Sequence, residues 1–453
     1  MVFLLPNTAR PGTGSLTRGQ AVVALPDRSP ELRPVGSTPD APTPPAPGSF
    51  LVVTQYYPPE RGAAQVRLGA LVRELHRLGN QVEVLTALPN YPLGRIFPGW
   101  SHRPVQSSAD DGVRVVRVWL WASMGSGLMR MVNYASFGLM SLLGLTRTKP
   151  ARWTVVEYPT LFGALPAAVW CRIRGRKVVV NVADLWVDAI VEFGALGDGL
   201  VVKVLRSLEA WMLTHATAVT AVTEGLRDTL IEKGVDSERI CWLPNGADAE
   251  MFQPGPVDPD VDRVLGLEPD DHLFLYAGTQ GYVHGLDALL DAADLLRDEP
   301  IRIVLVGGGS ERPALEATAR ERGLHRVTFL DPVAPEEIGR FLRRATAGLA
   351  SIRETDLFKS VRSAKMFPTM ATGKPVVYAG NDEGAALVRQ TGCGVTVPHG
   401  DAKGLADAMR SLVADPGQAA AMGAAGRRWI EEEGSWRVLI TRWLADLERV
   451  DPH

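Results

Sequence analysis

Phe50-Leu51-Val52-Val53-Thr54 is a short, unbroken apolar run, and it opens into Gln55-Tyr56-Tyr57-Pro58-Pro59-Glu60-Arg61-Gly62-Ala63, which is too rich in proline to continue a strand. A run of this kind bounded by turn residues reads as a parallel strand buried on both faces. Val66, Leu68, Leu71, Leu75 and Leu78 then follow a helical pattern that Gly79 closes, and Val82-Glu83-Val84-Leu85-Thr86 reads as a second strand. Strand, helix and strand together make a βαβ unit.

The alternation continues outward from that unit. Strands are expected near 113–120, 153–156, 178–181 and 218–222, and helices near 128–145, 161–172 and 200–213. Pro244-Asn245-Gly246 and Phe252-Gln253-Pro254-Gly255-Pro256 then punctuate the chain as a domain boundary would. A second series of strands starts at Leu273–Ala277 and recurs at 303–306, 327–330, 348–351, 376–378 and 394–397. One continuous helical pattern is expected from about 419 to 449, with Trp429, Trp436 and Trp443 as core contacts. The fold class is therefore α/β, with two doubly wound, Rossmann-like domains. Ligands of such sheets bind at the strands' C-terminal ends, here on either side of a cleft. A binding protein of the same architecture would share this pattern.

The length of 453 residues fits two or three domains at roughly 100–200 residues each. A net charge of -3 argues against a dedicated nucleic-acid binder. Cys171, Cys241 and Cys393 are odd in number and far apart, so neither a disulfide framework nor a zinc cluster is readable, and a reducing compartment follows. Residues 1–49 hold ten of the 33 prolines and lack a sustained apolar period, which marks a disordered extension and not a secretory signal.

Several familiar sites are missing. Gly373-Lys374 is followed by Pro375, which removes the Walker phosphate loop, and Gly307-Gly308-Gly309 does not continue into a dinucleotide fingerprint. A glycine run after a strand can still bring backbone N–H groups, at Gly308 above all, close to a phosphate; an ordinary tight turn reads the same way.

Taken in order, Tyr56–Gly62, Leu78–Thr86, Pro89-Asn90-Tyr91-Pro92, Val222–Leu226, Leu243–Asp248, Tyr276–Thr279, Leu305–Gly309 and Met370-Ala371-Thr372-Gly373-Lys374-Pro375-Val376-Val377 resemble the family-4 glycosyltransferases over about 400 residues. The branch most similar in flavour holds lipopolysaccharide, capsule and fucosamine transferases of the WbuB type. The resemblance implies the GT-B fold, with residues 50–248 as the acceptor-side domain, 249–425 as the nucleotide-sugar donor domain, and 426–453 as a helix crossing back to the first. It also implies retaining transfer from a nucleotide diphosphate sugar with no metal and no cofactor.

The same resemblance carries site residues over. Gly62 and Ala63 fall in the loop whose N–H groups face the donor diphosphate, and Lys359 and Lys365 fall where the branch carries lysines beside the phosphates. Asp184, in an Asp-Leu-Trp signature, is a candidate to orient the acceptor hydroxyl or take its proton, with a helix N-cap as the structural alternative. Two departures stand out. The family's paired glutamates are replaced by Ser360 and Pro368, which leaves Glu383 as the nearest acid to contact the donor. The usual Arg and Lys of the donor domain's first loop are replaced by Thr279, which can still donate a hydrogen bond, and His284, a candidate cation beside the diphosphate with a structural histidine as the alternative.

Charge divides unevenly, at +1 for residues 1–49, +4 for 50–248 and -8 for 249–453. The basic half contains the apolar stretch Leu128–Leu145, followed by Arg147, Lys149 and Arg152, which suits peripheral contact with an anionic membrane or a buried core helix. The sequence thus reads as a cytoplasmic transferase acting on a glycan or polyprenyl-linked acceptor in surface polysaccharide synthesis. A catalytically impaired homologue that binds a nucleotide sugar or glycan is the alternative, and a GT-B epimerase a more distant one.

Overall fold

The computed structural model describes residues 47–60, 62–123, 128–158, 161–192, 199–355 and 361–451. All but the end of the extension assigned to residues 1–49 lies outside them, as do Lys359 and Ser360. In the first half the chain runs β1 (Ser49–Val53), α1 (Ala63–Arg77), β2 (Gln81–Ala87), β3 (Val105–Asp110), β4 (Val113–Val118), α2 (Leu128–Leu145), β5 (Trp153–Glu157), α3 (Leu161–Ile173), β6 (Lys177–Val182), α4 (Trp186–Glu192), α5 (Leu200–His215), β7 (Ala218–Ala221), α6 (Glu224–Glu232) and β8 (Ile240–Trp242). These strands form one sheet in the order β3-β4-β2-β1-β5-β6-β7-β8, parallel except for β3.

The second half runs α7 (Asp260–Leu265), β9 (His272–Ala277), α8 (Asp287–Leu295), β10 (Ile301–Val306), α9 (Arg312–Glu321), β11 (Val327–Leu330), α10 (Pro335–Arg344), β12 (Ala347–Ser351), α11 (Met366–Ala371), β13 (Val376–Ala379), α12 (Glu383–Thr391), β14 (Gly394–Val397), α13 (Ala402–Ala414), α14 (Pro416–Trp429) and α15 (Trp436–Val450). Its sheet is parallel, in the order β11-β10-β9-β12-β13-β14. Two doubly wound sheets are therefore present, as the alternation of apolar runs and helical patterns requires.

Nothing in the apolar pattern announces β3. It is an edge strand whose Ser107, Ser108, Ala109 and Asp110 are exposed, so hydrogen bonding to β4 holds it without burial. The expected single helix from 419 to 449 is also corrected. A π turn at Ile430–Gly434 and extended backbone at Ser435 divide it, and the Ser435 hydroxyl then caps α15 by accepting from Val438 N–H. The two pieces bury their apolar sides in different cores. Trp429 stacks on Phe367 of the second unit. Trp436, Leu439, Ile440, Trp443, Leu444 and Leu447 pack with β1, α1 and β7 of the first. At ~1.5–3 kcal/mol for each fully buried large apolar side chain, this stripe is what returns the chain's end to the first sheet. All three tryptophans are packing residues, as expected.

The two crossings between the units run side by side. Ala247 N–H donates to Gly434 O at 3.0 Å and Trp436 N–H donates to Ala247 O at 3.0 Å. A side chain on Gly246 would stand 2.5 Å from Gly434 O, so glycine there is a requirement of this close approach.

Candidate functional site

Each sheet reverses its winding at one place, and the C-terminal ends of the strands there form the natural crevice. In the first sheet the reversal lies between β1 and β5, in the second between β9 and β12. Contacts between the units show that these C-terminal edges meet. Glu383, at the start of α12 just beyond β13, accepts hydrogen bonds from Gly225 N–H at 2.8 Å and Glu224 N–H at 3.2 Å, at the start of α6 just beyond β7. Arg362, in the segment after β12, donates to the same carboxylate at 3.1 Å and lies 5.5 Å from the Trp242 ring at the end of β8.

At the second sheet's reversal, Lys365 passes beneath Gly278 to bring its Nζ 3.0 Å from His284 Nε2. A Cβ on Gly278 would stand 2.5 Å from Lys365 Cε, so the absence of a side chain lets the lysine through. The other ring nitrogen, Nδ1, lies 3.2 Å from Ser351 O at the end of β12. Burial pushes the Lys365 ammonium down to about 7. Burial first, and then the Lys365 charge, hold His284 well below the ordinary histidine value. The expectation of a cationic His284 is thereby corrected. Burial and the neighbouring lysine favour the neutral ring, and the tautomer with Nδ1–H towards Ser351 O and Nε2 towards Lys365 suits both partners, because two adjacent cations in a desolvated pocket are unfavourable.

Glu383 is corrected as well. The residue is 3% exposed and its carboxylate is already engaged by Arg362 and two backbone N–H groups of the other unit, so it ties the two units together instead of reaching for a donor. Thr279 is exposed at the mouth of the second crevice, and its carbonyl accepts from the Tyr276 hydroxyl at 2.6 Å. Of the glycine run, Gly307 and Gly309 are the constrained members, since side chains there would stand 2.0 Å from Gly278 O and 2.1 Å from Gln280 O. Gly308 has room, with its nearest neighbour Pro332 at 3.7 Å. The run fits two loops together and leaves Gly308 as the member open to a ligand. Pro368 stands in the first turn of α11, where its missing N–H would have no helical partner in any case.

At the first sheet's reversal, Gly62 precedes α1 in extended backbone and Ala63 is the helix's first residue. The residues that crowd this crevice were not singled out from the sequence. Arg67 of α1 pairs with Glu157 at the end of β5, and Asn181 of β6 donates to the other Glu157 oxygen. Burial raises the Glu157 carboxyl above its ordinary range against the opposing pull of Arg67. Glu60, 4% exposed, accepts from the N–H groups of Asn90 at 2.7 Å and Tyr91 at 2.8 Å, which holds the β2 loop over the crevice. Asp184 is half-buried in the bend between β6 and α4, near enough to raise the Glu157 carboxyl further, whereas Trp186 is buried edge-on against Phe162. The only prior signal for Arg67 and Glu157 was their place at the reversal of strand order, and this order is invisible before the sheet is assembled. Among the described residues no group of three or more His, Cys, Asp or Glu side chains is placed to hold a metal ion.

Comparison with known proteins fits this geometry. Residues 62–246 match the model of the glycosyl transferase 4-like domain, and residues 271–415 that of the glycosyl transferases group 1. The chain is 32% identical to the D-inositol 3-phosphate glycosyltransferase of Xylanimonas cellulosilytica, covering 83% of this chain and 89% of that one. It is 29% identical to the putative colanic acid biosynthesis glycosyl transferase WcaI of Escherichia coli K12, over 72% of this chain and 81% of that one. The crystal structure of Anabaena HepE in complex with UDP-glucose superposes with a TM-score of 0.63 at 16% identity, covering 88% of this chain and 98% of that one.

Proposed function

This chain belongs to the family-4 glycosyltransferases of GT-B fold, and on that footing we propose that it moves a sugar, with retention of configuration, from a nucleotide diphosphate sugar to a glycan or polyprenyl-linked acceptor of a surface polysaccharide. The observation that carries the reading is the pairing of Lys365 with His284 at the second sheet's reversal. A leaving diphosphate gathers negative charge, and Lys365, held in place by the histidine, gains its full charge as the diphosphate arrives and stabilises it. Lys359, Gly308 and the exposed Thr279 are assigned to the same donor side, and Gly62 and Ala63 bring the start of α1 to the diphosphate from across the cleft.

The acceptor enters from the first sheet. Asp184, beside the Arg67–Glu157 pair, orients the acceptor hydroxyl and helps to take its proton. Retention follows when the departing phosphate assists the hydroxyl on the same face of the sugar, a route needing no covalent nucleophile and no metal ion. One relative is named for D-inositol 3-phosphate and the other for colanic acid biosynthesis, so their names do not share an acceptor and the acceptor class rests on the basic first half of the chain. The proposed location is the cytoplasm, at the inner face of the membrane.

A panel of nucleotide diphosphate sugars, scored for donor hydrolysis and, with a polyprenyl-linked glycan, for transfer, tests the reading. One donor is expected to turn over, with a product of the donor's own anomeric configuration and with activity unaffected by chelator. A well-folded protein that binds a donor without turning it over would instead establish the impaired homologue.

A further inference from the structure

We propose that the crevice at the first sheet's reversal takes an uncharged, hydroxyl-rich sugar ring, so that the acceptor is a sugar residue already in place and not a lipid phosphate. Several buried side chains there use only part of their hydrogen-bonding capacity. Gln55 lies just beyond β1 and Asn181 at the end of β6, the strands on either side of β5, and Arg67 reaches in from α1. The three are 1%, 1% and 6% exposed, yet Gln55 Oε1, Asn181 Oδ1 and Arg67 Nη1 have no hydrogen-bond partner among the described residues. The second oxygen of buried Glu60 is likewise open. Buried polar groups are ordinarily paired, so orphans gathered at the natural ligand crevice point to a ligand that completes them.

Partners that can only accept fix which way the amides face. Asn133 donates to Trp121 O at 2.7 Å, which leaves its own oxygen to accept from Gln55 Nε2 at 2.7 Å and leaves Gln55 Oε1 open. Glu157 accepts from Asn181 Nδ2 at 2.5 Å through one oxygen and from Arg67 Nη2 at 2.5 Å through the other. The Asn181 carbonyl oxygen and the second Arg67 nitrogen are therefore held ready side by side, by the same carboxylate.

Open acceptors beside an open donor require a ligand that gives as well as takes hydrogen bonds. A sugar hydroxyl does both. A fully ionised phosphate gives none, so it would leave Gln55 and Asn181 unpaired, and it would meet the Glu60 and Glu157 carboxylates. A ring seated on Arg67 and Asn181 brings a hydroxyl towards Asp184, which stands near Glu157. That this hydroxyl is the one glycosylated rests on the glycosyltransferase reading; binding of the ring does not. The consequence is an order of reactions, because another transferase must first place a sugar on the carrier.

Saturation-transfer NMR of the full chain with methyl hexopyranosides and methyl N-acetylhexosaminides tests the crevice, with geranyl phosphate as the lipid-phosphate probe. At least one glycoside is expected to bind, and geranyl phosphate is expected not to displace it. One monodeoxy analogue of that glycoside should bind roughly tenfold to a hundredfold more weakly than its parent. Asn181→Leu should weaken the parent by a similar factor and abolish the difference between parent and analogue, a coupling that lost stability alone does not produce. Arg67→Lys keeps a cation for Glu157 and should still weaken the parent about tenfold. Circular dichroism checks folding, and if Asn181→Leu does not fold, the deoxy series on the wild type and Arg67→Lys decide. Displacement of the glycoside by geranyl phosphate, binding undiminished in both variants, deoxy analogues that all bind like their parent, or folded wild type that binds no glycoside would overturn the proposal. Donor hydrolysis without glycoside binding removes the subsite and leaves the enzyme; glycoside binding without turnover of any donor does the reverse.

Discussion

Lys365 Nζ stands 3.0 Å from His284 Nε2, and the histidine's other nitrogen faces Ser351 O, so one side-chain pair joins the loop after β9 to the end of β12. The pair replaces an arrangement of fixed cations with one that titrates. The Lys365 ammonium is pushed down to about 7 by burial.

The sign of the pH effect follows. An unfolded lysine holds its proton to about 10.4, so from about pH 7 upward the unfolded chain binds a proton that the folded one does not, and stability rises with pH through that window. Below it both states are protonated and the whole penalty is present. Lys365→Met is expected to be more stable than wild type at about pH 6 and to lose most of that advantage by about pH 9, read as urea midpoints. A gap that does not change with pH would refute the half-buried, titrating lysine.

Binding of a nucleoside diphosphate should reverse the shift, because a nearby anion favours the ammonium. Calorimetry near pH 8 in buffers of different ionisation enthalpy is expected to show uptake of up to one proton, absent in Lys365→Met. Equal heats in every buffer would place the diphosphate elsewhere.

Glu383 holds Gly225 N–H at 2.8 Å across the cleft and is paired with Arg362. Hydrogen bonds to a charged group contribute about 1.5–3 kcal/mol, so Glu383→Ala should raise amide exchange at Glu224 and Gly225 by roughly tenfold to a hundredfold, with Glu383→Gln between it and wild type. Unchanged exchange in the alanine variant would show that the two units are held together by other contacts.

Pro368 lies in the first turn of α11, so replacing it restores no helical hydrogen bond. Pro368→Glu is expected to shift stability by less than about 1 kcal/mol and donor KM by only a few-fold. A large gain in donor affinity would mean that the wild-type site is impaired.

Trp443 is fully buried and donates its indole N–H to the Thr220 hydroxyl at 3.0 Å. Trp443→Ala should cost about 3–5 kcal/mol in denaturant unfolding, and Trp443→Phe clearly less. Equal losses in both would assign the stabilisation to the hydrogen bond and not to the packing.

By itself, the sequence determined the two α/β units, the strands that are buried on both faces, and the family. Each of these is written locally, in continuous apolar runs, helical spacings and turn residues such as Gly79 and Pro244-Asn245-Gly246. The family resemblance pointed to Lys365 and Asp184, and the structure sets Lys365 beside His284 and Asp184 near Glu157. What it could not decide depends on neighbours distant in the chain. The edge strand β3 has no apolar pattern, because pairing with β4 holds it without burial. The charge of His284 depends first on its burial in the assembled second unit and then on Lys365, 81 residues away. Glu383 is committed to a helix start 158 residues earlier, so an acid that looked available for the donor is already spoken for. Arg67 and Glu157 became site residues only when β1 and β5 lay side by side. Protonation and partnership are set by burial and by opposing groups, and these exist only once the sheets have formed and the two units have met.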